Sequence, residues 1–251
     1  MKASRRPRHE RPAAAPPVFD ETAMKHFFRL GTAMRDPARP RPVAGPSAPR
    51  IALPPPMSSG GLPIMEAFSK RRTTRRFAAT ELDEATLGQL LWAANGVNRG
   101  GSDGNGGRTA PSVLALHEID VYAALACGLY RYDPLQHCLD LVRAADLRGL
   151  TGYQDFVGEA PVELVYVADL ARMHDIAPSQ REPFAYASAG AIVENVYLFC
   201  AAAGLAVAAR SWLNRSALGV EMHLSRDSVP VLAQTVGYFD RSEPGDADDI
   251  S

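Results

Sequence analysis

The sequence predicts an α+β domain, and three observations carry that prediction. Two short stretches near residues 64 and 87 place apolar side chains at helical spacing. A middle section alternates apolar and polar residues in short runs bounded by turn formers, as strands do. An alanine-rich apolar stretch at 184–203 is long enough for one large helix. No repeat of fixed period is present. With 251 residues, 46% of them hydrophobic and 22% charged, the composition excludes wholesale disorder and fibrous repeats.

The chain divides by charge. Residues 1–56 carry eleven Lys/Arg against four Asp/Glu, and residues 57–251 carry sixteen against twenty-four, so a basic tail precedes an acidic body. Thirteen of the twenty prolines lie at or before Pro63, and proline at that density lacks the amide donors that helices and sheets need. The predicted organisation is a largely extended tail over 1–56 and one folded domain over 57–251. Within the tail, Met24, Phe27, Phe28 and Leu30 predict a short amphipathic helix at 19–34, expected to pack on its own body or on a second copy, with a docking or membrane-surface helix as the alternative. The basic start runs into proline rather than into an apolar segment, so no secretory signal and a cytoplasmic location are expected.

Order is expected from about Leu62. Pro63 suits a first helical turn, and Ile64, Ala67 and Phe68 share one face. The run Arg71-Arg-Thr-Thr-Arg-Arg-Phe77 ends that helix. A second helix follows at 83–94 with Leu87, Leu90 and Leu91 on one side, stopped by Asn95-Gly96. Five glycines within 99–108 predict a loop. Strand patterns then appear at 117–123, 128–133 and 137–142, the last two forming a hairpin closed by Asp133-Pro134. Residues 146–156 have helical character, and 161–169 is the clearest strand. The apolar stretch 184–203 invites a membrane reading, but Glu194 and Asn195 interrupt its centre, so a core helix is expected and no membrane span. One further helix at 216–224 and a strand at 231–238 complete the pattern.

Few motifs carry chemistry of their own. The glycine loop has Gly107 where a phosphate-binding loop needs lysine, and no dinucleotide fingerprint follows a strand. Cys127, Cys138 and Cys200 are too scattered for a zinc site or a disulfide framework and are expected as small buried hydrophobes. There is no G-x-S-x-G, and the histidines share no metal spacing. An enzyme built on this chain would therefore borrow its chemistry from a cofactor. The sharpest feature is the cluster at 71–76, four arginines and two threonines at a helix end. Guanidinium groups pair with phosphate oxygens through parallel hydrogen bonds, so a phosphate monoester fits; a solvated basic cap on the helix C-terminus fits the composition equally. The acidic body and the absence of interleaved aromatics exclude a nucleic-acid surface.

These residues also carry a resemblance. Arg71 to Phe77 resembles the opening motif of the FMN-dependent nitroreductase superfamily, preceded as there by a helix of the Met65-Glu-Ala-Phe type. Leu90-Leu-Trp-Ala-Ala-Asn-Gly-Val-Asn98, Gly107-Arg-Thr-Ala-Pro-Ser112, Glu118-Ile-Asp-Val-Tyr122 and Gly128-Leu-Tyr-Arg-Tyr132 follow in the family's order. So do Ala160-Pro161, the segment from Asn195 to Leu205, and Gln234-Thr-Val-Gly-Tyr238. The detail is most similar to the azoline-dehydrogenase-like (SagB/ThcOx-type) branch. The resemblance implies a central antiparallel or mixed sheet packed by helices and an intertwined homodimer with two FMN sites at its interface. It implies ping-pong chemistry in which NAD(P)H reduces the flavin and a small-molecule acceptor, such as a nitroaromatic or quinone, is then reduced. Azoline dehydrogenase activity in peptide modification, or a non-catalytic flavin module with a partner-docking tail, are the alternatives.

Residue by residue, Arg71, Arg72 and Thr73 match the family's phosphate and ribityl ligands, and Arg75 matches its basic residue beside flavin N1 and O2. Pro111, Ser112 and Val113 match the segment under the ring, and Ala115 stands where the family often carries asparagine. Arg210, Ser211 and Trp212 fall where a backbone amide faces flavin N5, and Arg241 matches the C-terminal phosphate ligand. The resemblance implies no catalytic side chain and no metal.

Overall fold

The computed structural model describes residues 41–42, 49–100 and 106–241. The amphipathic helix expected at 19–34 lies outside them, as does the middle of the glycine loop.

The described residues form four α-helices: α1 (Ile64–Lys70), α2 (Glu84–Asn95), α3 (Pro178–Ala203) and α4 (Arg215–Glu221). The strands are β1 (Arg41–Pro42), β2 (Arg50–Ala52), β3 (Val97–Arg99), β4 (Gly107–Arg108), β5 (Ile119–Leu125), β6 (Gly128–Asp133), β7 (Cys138–Arg143), β8 (Ala145–Asp146), β9 (Val162–Asp169), β10 (Ala206–Arg210) and β11 (Ser228–Gly237). Seven of them form one sheet in the order β10-β11-β9-β5-β6-β7-β2, and every pairing is antiparallel. The fold is the nitroreductase-like α+β architecture that the resemblance implies.

The central strand β9 shows how the sequence builds this layering. Successive side chains point to opposite faces. Val162, Leu164, Tyr166 and Ala168 enter the larger core with α2 and α3, including Leu90, Leu91, Ile192 and Val196. Val165 and Val167 face the other way and meet Leu147, Leu150, Leu213, Leu218 and Met222. A strand covered on both faces reads as a nearly continuous apolar run, which made it conspicuous.

Helix α2 starts where Asp83 accepts a hydrogen bond from the Thr86 amide at 2.8 Å, and it stops at Gly96. Helix α3 starts with Pro178 in its first turn, six residues before the expected apolar stretch. By length and composition it is the one helix among the described residues able to cross a membrane, yet it packs against α1, α2 and the sheet. It ends at Gly204, whose φ of 69° is left-handed, with the Leu205 amide donating back to the Cys200 carbonyl at 2.9 Å. Nothing lies near the position a Cβ would take there, so Gly204→Ala meets only the conformational penalty. That variant should lose about 1 kcal/mol in a urea-unfolding measurement.

The structure differs from the sequence expectations at three places. The sheet takes its last strand, β2, from within the proline-rich segment, and Leu53 is already core. Residues 146–156 form no α-helix, only the 3₁₀ turn Arg148–Leu150 that follows the end of β8. There the Arg148 guanidinium folds back onto Asp146 at 2.8–2.9 Å and onto the Ala160 carbonyl at 2.8 Å. Gly152 lies where any Cβ would collide with Arg210, so that path is set by tertiary packing and not by helical spacing. Of the cysteines, Cys138 and Cys200 are buried as expected, whereas Cys127 is exposed in the β5–β6 turn.

Candidate functional site

Helix α1 ends because Arg71 adopts an extended conformation (φ −57°, ψ 125°) while its amide still caps Ala67. The chain then runs extended, and its side chains separate. Thr74 turns inward, with its amide donating to the Val207 carbonyl of β10 at 2.9 Å. Arg72, Arg75 and Arg76 turn out to solvent, with Arg71 half-buried. The Arg71 guanidinium sits 5.4 Å over the ring of Tyr197 from α3, and that of Arg72 sits 5.1 Å over Phe239. The Thr73 hydroxyl lies 3.1 Å from the Tyr197 hydroxyl, which also accepts the Ala209 amide at 3.0 Å. An antiparallel bridge between Phe77 and Phe239 holds the chain end on the same edge, so exposed Arg241 follows two residues beyond the Arg72 stack.

Stacking on an aromatic face restrains a guanidinium while leaving its planar N–H edge open. No carboxylate among the described residues pairs with Arg71 or Arg72. Two restrained cations, a threonine hydroxyl and no competing anion form a donor set whose chemistry fits a phosphate monoester.

The Arg210–Trp212 segment is held from beneath. Arg210 is buried: its Nε donates to the Thr151 carbonyl at 2.7 Å, Nη1 to Thr235 Oγ1 at 2.6 Å, and Nη2 to Thr151 Oγ1 at 2.6 Å and to Glu163. Glu163 is fully buried in β9, with Thr235 Oγ1 donating to it at 2.8 Å. The Arg210 side chain is therefore part of an internal ion pair and faces no open site. Only the backbone after it is available to a ligand. Ser211 is exposed with its carbonyl 3.0 Å from the Arg215 guanidinium, and Trp212 meets Tyr153 edge-on at 6.4 Å.

Pro111, Ser112, Val113 and Ala115 lie elsewhere. Among the described residues no hydrogen bond or ring contact joins them to Arg71, Arg72 or Thr73. The Ser112 hydroxyl instead accepts the His117 amide at 3.0 Å and lies 3.4 Å from His117 Nδ1. Leu114, Ala115 and His117 all have left-handed backbones, with φ of 47°, 56° and 50°. Three such residues in one short turn store strain, which natural chains concentrate where a backbone must present itself to a ligand.

Two histidines bear on pH stability. His137 Nε2 donates to the Pro54 carbonyl at 2.9 Å, and its Nδ1 is 2.9 Å from the buried Tyr132 hydroxyl, whose titration burial pushes well upward. Burial lowers the pKa of both His117 and His137 below 6.5, and the Arg108 charge adds to this at His117. The unfolded chain thus takes up protons that the folded chain refuses. Stability is full above about 6.5 and falls as pH drops through that value. Thermal unfolding at pH 5.5 should begin at a lower temperature than at pH 7.5, and the double variant His117→Gln/His137→Gln should narrow the difference.

Sequence reasoning missed Tyr197, Phe239, Glu163, Thr151 and Thr235. Glu163 alone left a signal, as a carboxylate inside the most apolar strand.

A helix-covered antiparallel sheet with a cation-rich turn beside its edge fits an oxidoreductase of nitroreductase type. The nitroreductase family signature matches residues 68–238, and the chain belongs to that family. A solved nitroreductase-type structure from Ralstonia eutropha JMP134 is 50% identical, with a TM-score of 0.78 over 84% of this chain and 99% of that one. MJ1384 of Methanocaldococcus jannaschii, described as a nitroreductase, is 26% identical over 57% of this chain and 75% of its own length. The Escherichia coli microcin synthetase McbBCD complex with truncated pro-MccB17 shares the fold at 19% identity, with a TM-score of 0.61 over 91% of this chain and 84% of that one.

Proposed function

We propose that the protein is an FMN-dependent oxidoreductase that uses NAD(P)H to reduce small acceptors such as nitroaromatics or quinones. The observation that carries this reading is the pair Arg71 and Arg72, each stacked on an aromatic ring and neither neutralised by a carboxylate. Bound FMN would supply two-electron hydride chemistry, taking a hydride from the nicotinamide and passing it to the acceptor in a second half-reaction.

The chain's own part is to hold and surround. Arg71, Arg72 and Thr73 grip the phosphate and ribityl oxygens, with Arg241 on the same edge. Arg75 places positive charge where the reduced state gains negative charge. The backbone of Ser211 and Trp212 offers its amides, kept in place by the buried Arg210–Glu163 pair and by Arg215. Within one chain, no hydrogen bond or ring contact among the described residues joins the segment from Pro111 to Ala115 to Arg71, Arg72 or Thr73, which supports a homodimer in which each copy lends this segment to the other's flavin. Exposed apolar side chains at Ile64, Met65 and Phe68 on α1, and at Met57 before it, support the same reading.

Absorbance spectra of the purified full chain test the proposal. A yellow protein, or one that turns yellow on adding FMN and is bleached by NADH or NADPH without oxygen, is expected. A protein that binds no FMN overturns it. Likeness of fold to the microcin synthetase complex keeps azoline oxidation as the second reading; turnover on thiazoline peptides with none on quinones or nitroaromatics would select it.

A further inference from the structure

A cleft of about 390 Å³ opens at the far end of the sheet from the arginine turn. Register fixes the separation. The turn joins β10 at Val207, which pairs with Val236 and so lies beside Val162 at the start of β9. The cleft is lined by Ile119, which pairs with Ala168 near the end of β9. Six residues of strand separate them, roughly 20 Å.

Its charged walls are Arg108, Arg131, Arg172, Asp120 and Asp133. Most of these groups already have work. Arg172 pairs with Asp120 at 3.0 Å and with Asp169 at 3.1 Å, and donates to the His117 carbonyl at 2.6 Å. Asp133 accepts the Leu135 and Gln136 amides at 2.8 and 3.1 Å. Arg108 is different. Its Nε and Nη1 are buried and have no hydrogen-bond partner among the described residues. Arg131 stands exposed at the mouth, with no ion pair or side-chain hydrogen bond among the described residues. Burial lowers the Arg108 pKa, the expected sign for a cation removed from water without full compensation.

Unpartnered buried donors on a guanidinium are costly, and an anionic oxygen in the cleft would satisfy them. The remaining wall is apolar, with Leu116, Ile119, Val121 and Leu135. Asp120 and Asp133 flank the cation and repel any anion, and a monocarboxylate head, with half the charge of a phosphate dianion, meets half that repulsion. We infer that this cleft binds an organic monocarboxylate, its head on Arg108 with Arg131 at the entrance and its apolar body against Leu116, Ile119, Val121 and Leu135. The inference does not rest on the flavin reading, although Leu116 and His117 on the cleft wall adjoin the segment that this reading lends to the partner's flavin.

Calorimetric titration of the full-length protein with benzoate, acetate and inorganic phosphate in chloride buffer tests it, with and without saturating FMN. Saturable benzoate binding is expected, at least about tenfold tighter than acetate or phosphate and unchanged by FMN. Arg108→Met should weaken benzoate about 10- to 150-fold, the range of one lost charge-assisted contact, while leaving thermal stability equal or higher because an unpartnered cation is gone. Should that variant fold poorly, Arg131→Gln at the exposed mouth should weaken benzoate severalfold in a stable protein. No saturable benzoate heat, phosphate binding as tightly as benzoate, displacement of benzoate by FMN, or unchanged binding in both variants would each overturn the assignment.

Discussion

Glu163→Leu is expected to lower unfolding stability by about 3–5 kcal/mol, because it leaves the Arg210 guanidinium buried without its counter-charge. The carboxylate is fully buried, and both its oxygens are engaged by Thr235 Oγ1 at 2.8–2.9 Å. Arg210 is itself buried, and its other donors are committed to Thr151 and Thr235. Removing both charges should be far milder: the double variant Glu163→Leu/Arg210→Met replaces a desolvated pair by apolar volume and should recover most of the loss. Urea unfolding of the wild type, both single variants and the double variant checks this. A double variant as unstable as Glu163→Leu alone would show that the residues do not act as a pair. The network also fixes the chain that enters Ser211 and Trp212, so Glu163→Gln, which keeps a side chain of the same size, should still weaken FMN binding at temperatures where the protein remains folded.

Much of the fold was legible because it rests on local signals. Asp83 and Gly96 bracket α2, and the apolar run of β9 announces a strand covered on both faces. The run 71–77 stood out for its charge density, and the structure turns Arg72, Arg75 and Arg76 of that run to solvent. What stayed hidden depends on distant partners. Three residues of β2 gain their strand character only from β7, with Arg50 reaching Asp140 at 2.6 Å, and nothing in a proline-rich segment marks them. Tyr197 on α3 looks like any core aromatic until the fold brings Thr73 and the Ala209 amide to its hydroxyl. The resemblance reads Arg210 only through a backbone amide that faces flavin N5, which leaves the direction of its side chain open. Only the convergence of Thr151, Glu163 and Thr235, from three separate segments, turns it inward.

Arg71→Ala is expected to weaken FMN binding by about 1.5–3 kcal/mol, or 10- to 150-fold in Kd, by removing one charge-assisted contact to a phosphate. The fold should be little affected, since the side chain is half-buried and makes no ion pair among the described residues. Related variants separate charge from shape. Arg71→Lys keeps a positive charge but loses the planar fork and the stack on Tyr197, so it should recover only part of the affinity. Tyr197→Phe keeps the ring under Arg71 but deletes the hydroxyl that joins Thr73 to the Ala209 amide, so it should cost less than Arg71→Ala. Arg76→Ala, also exposed on the same run, provides the control for general electrostatics. Fluorescence titration of FMN at two salt concentrations distinguishes the cases: a direct contact predicts a loss specific to position 71, whereas a diffuse basic surface predicts equal losses at 71 and 76 that vanish together as salt screens them.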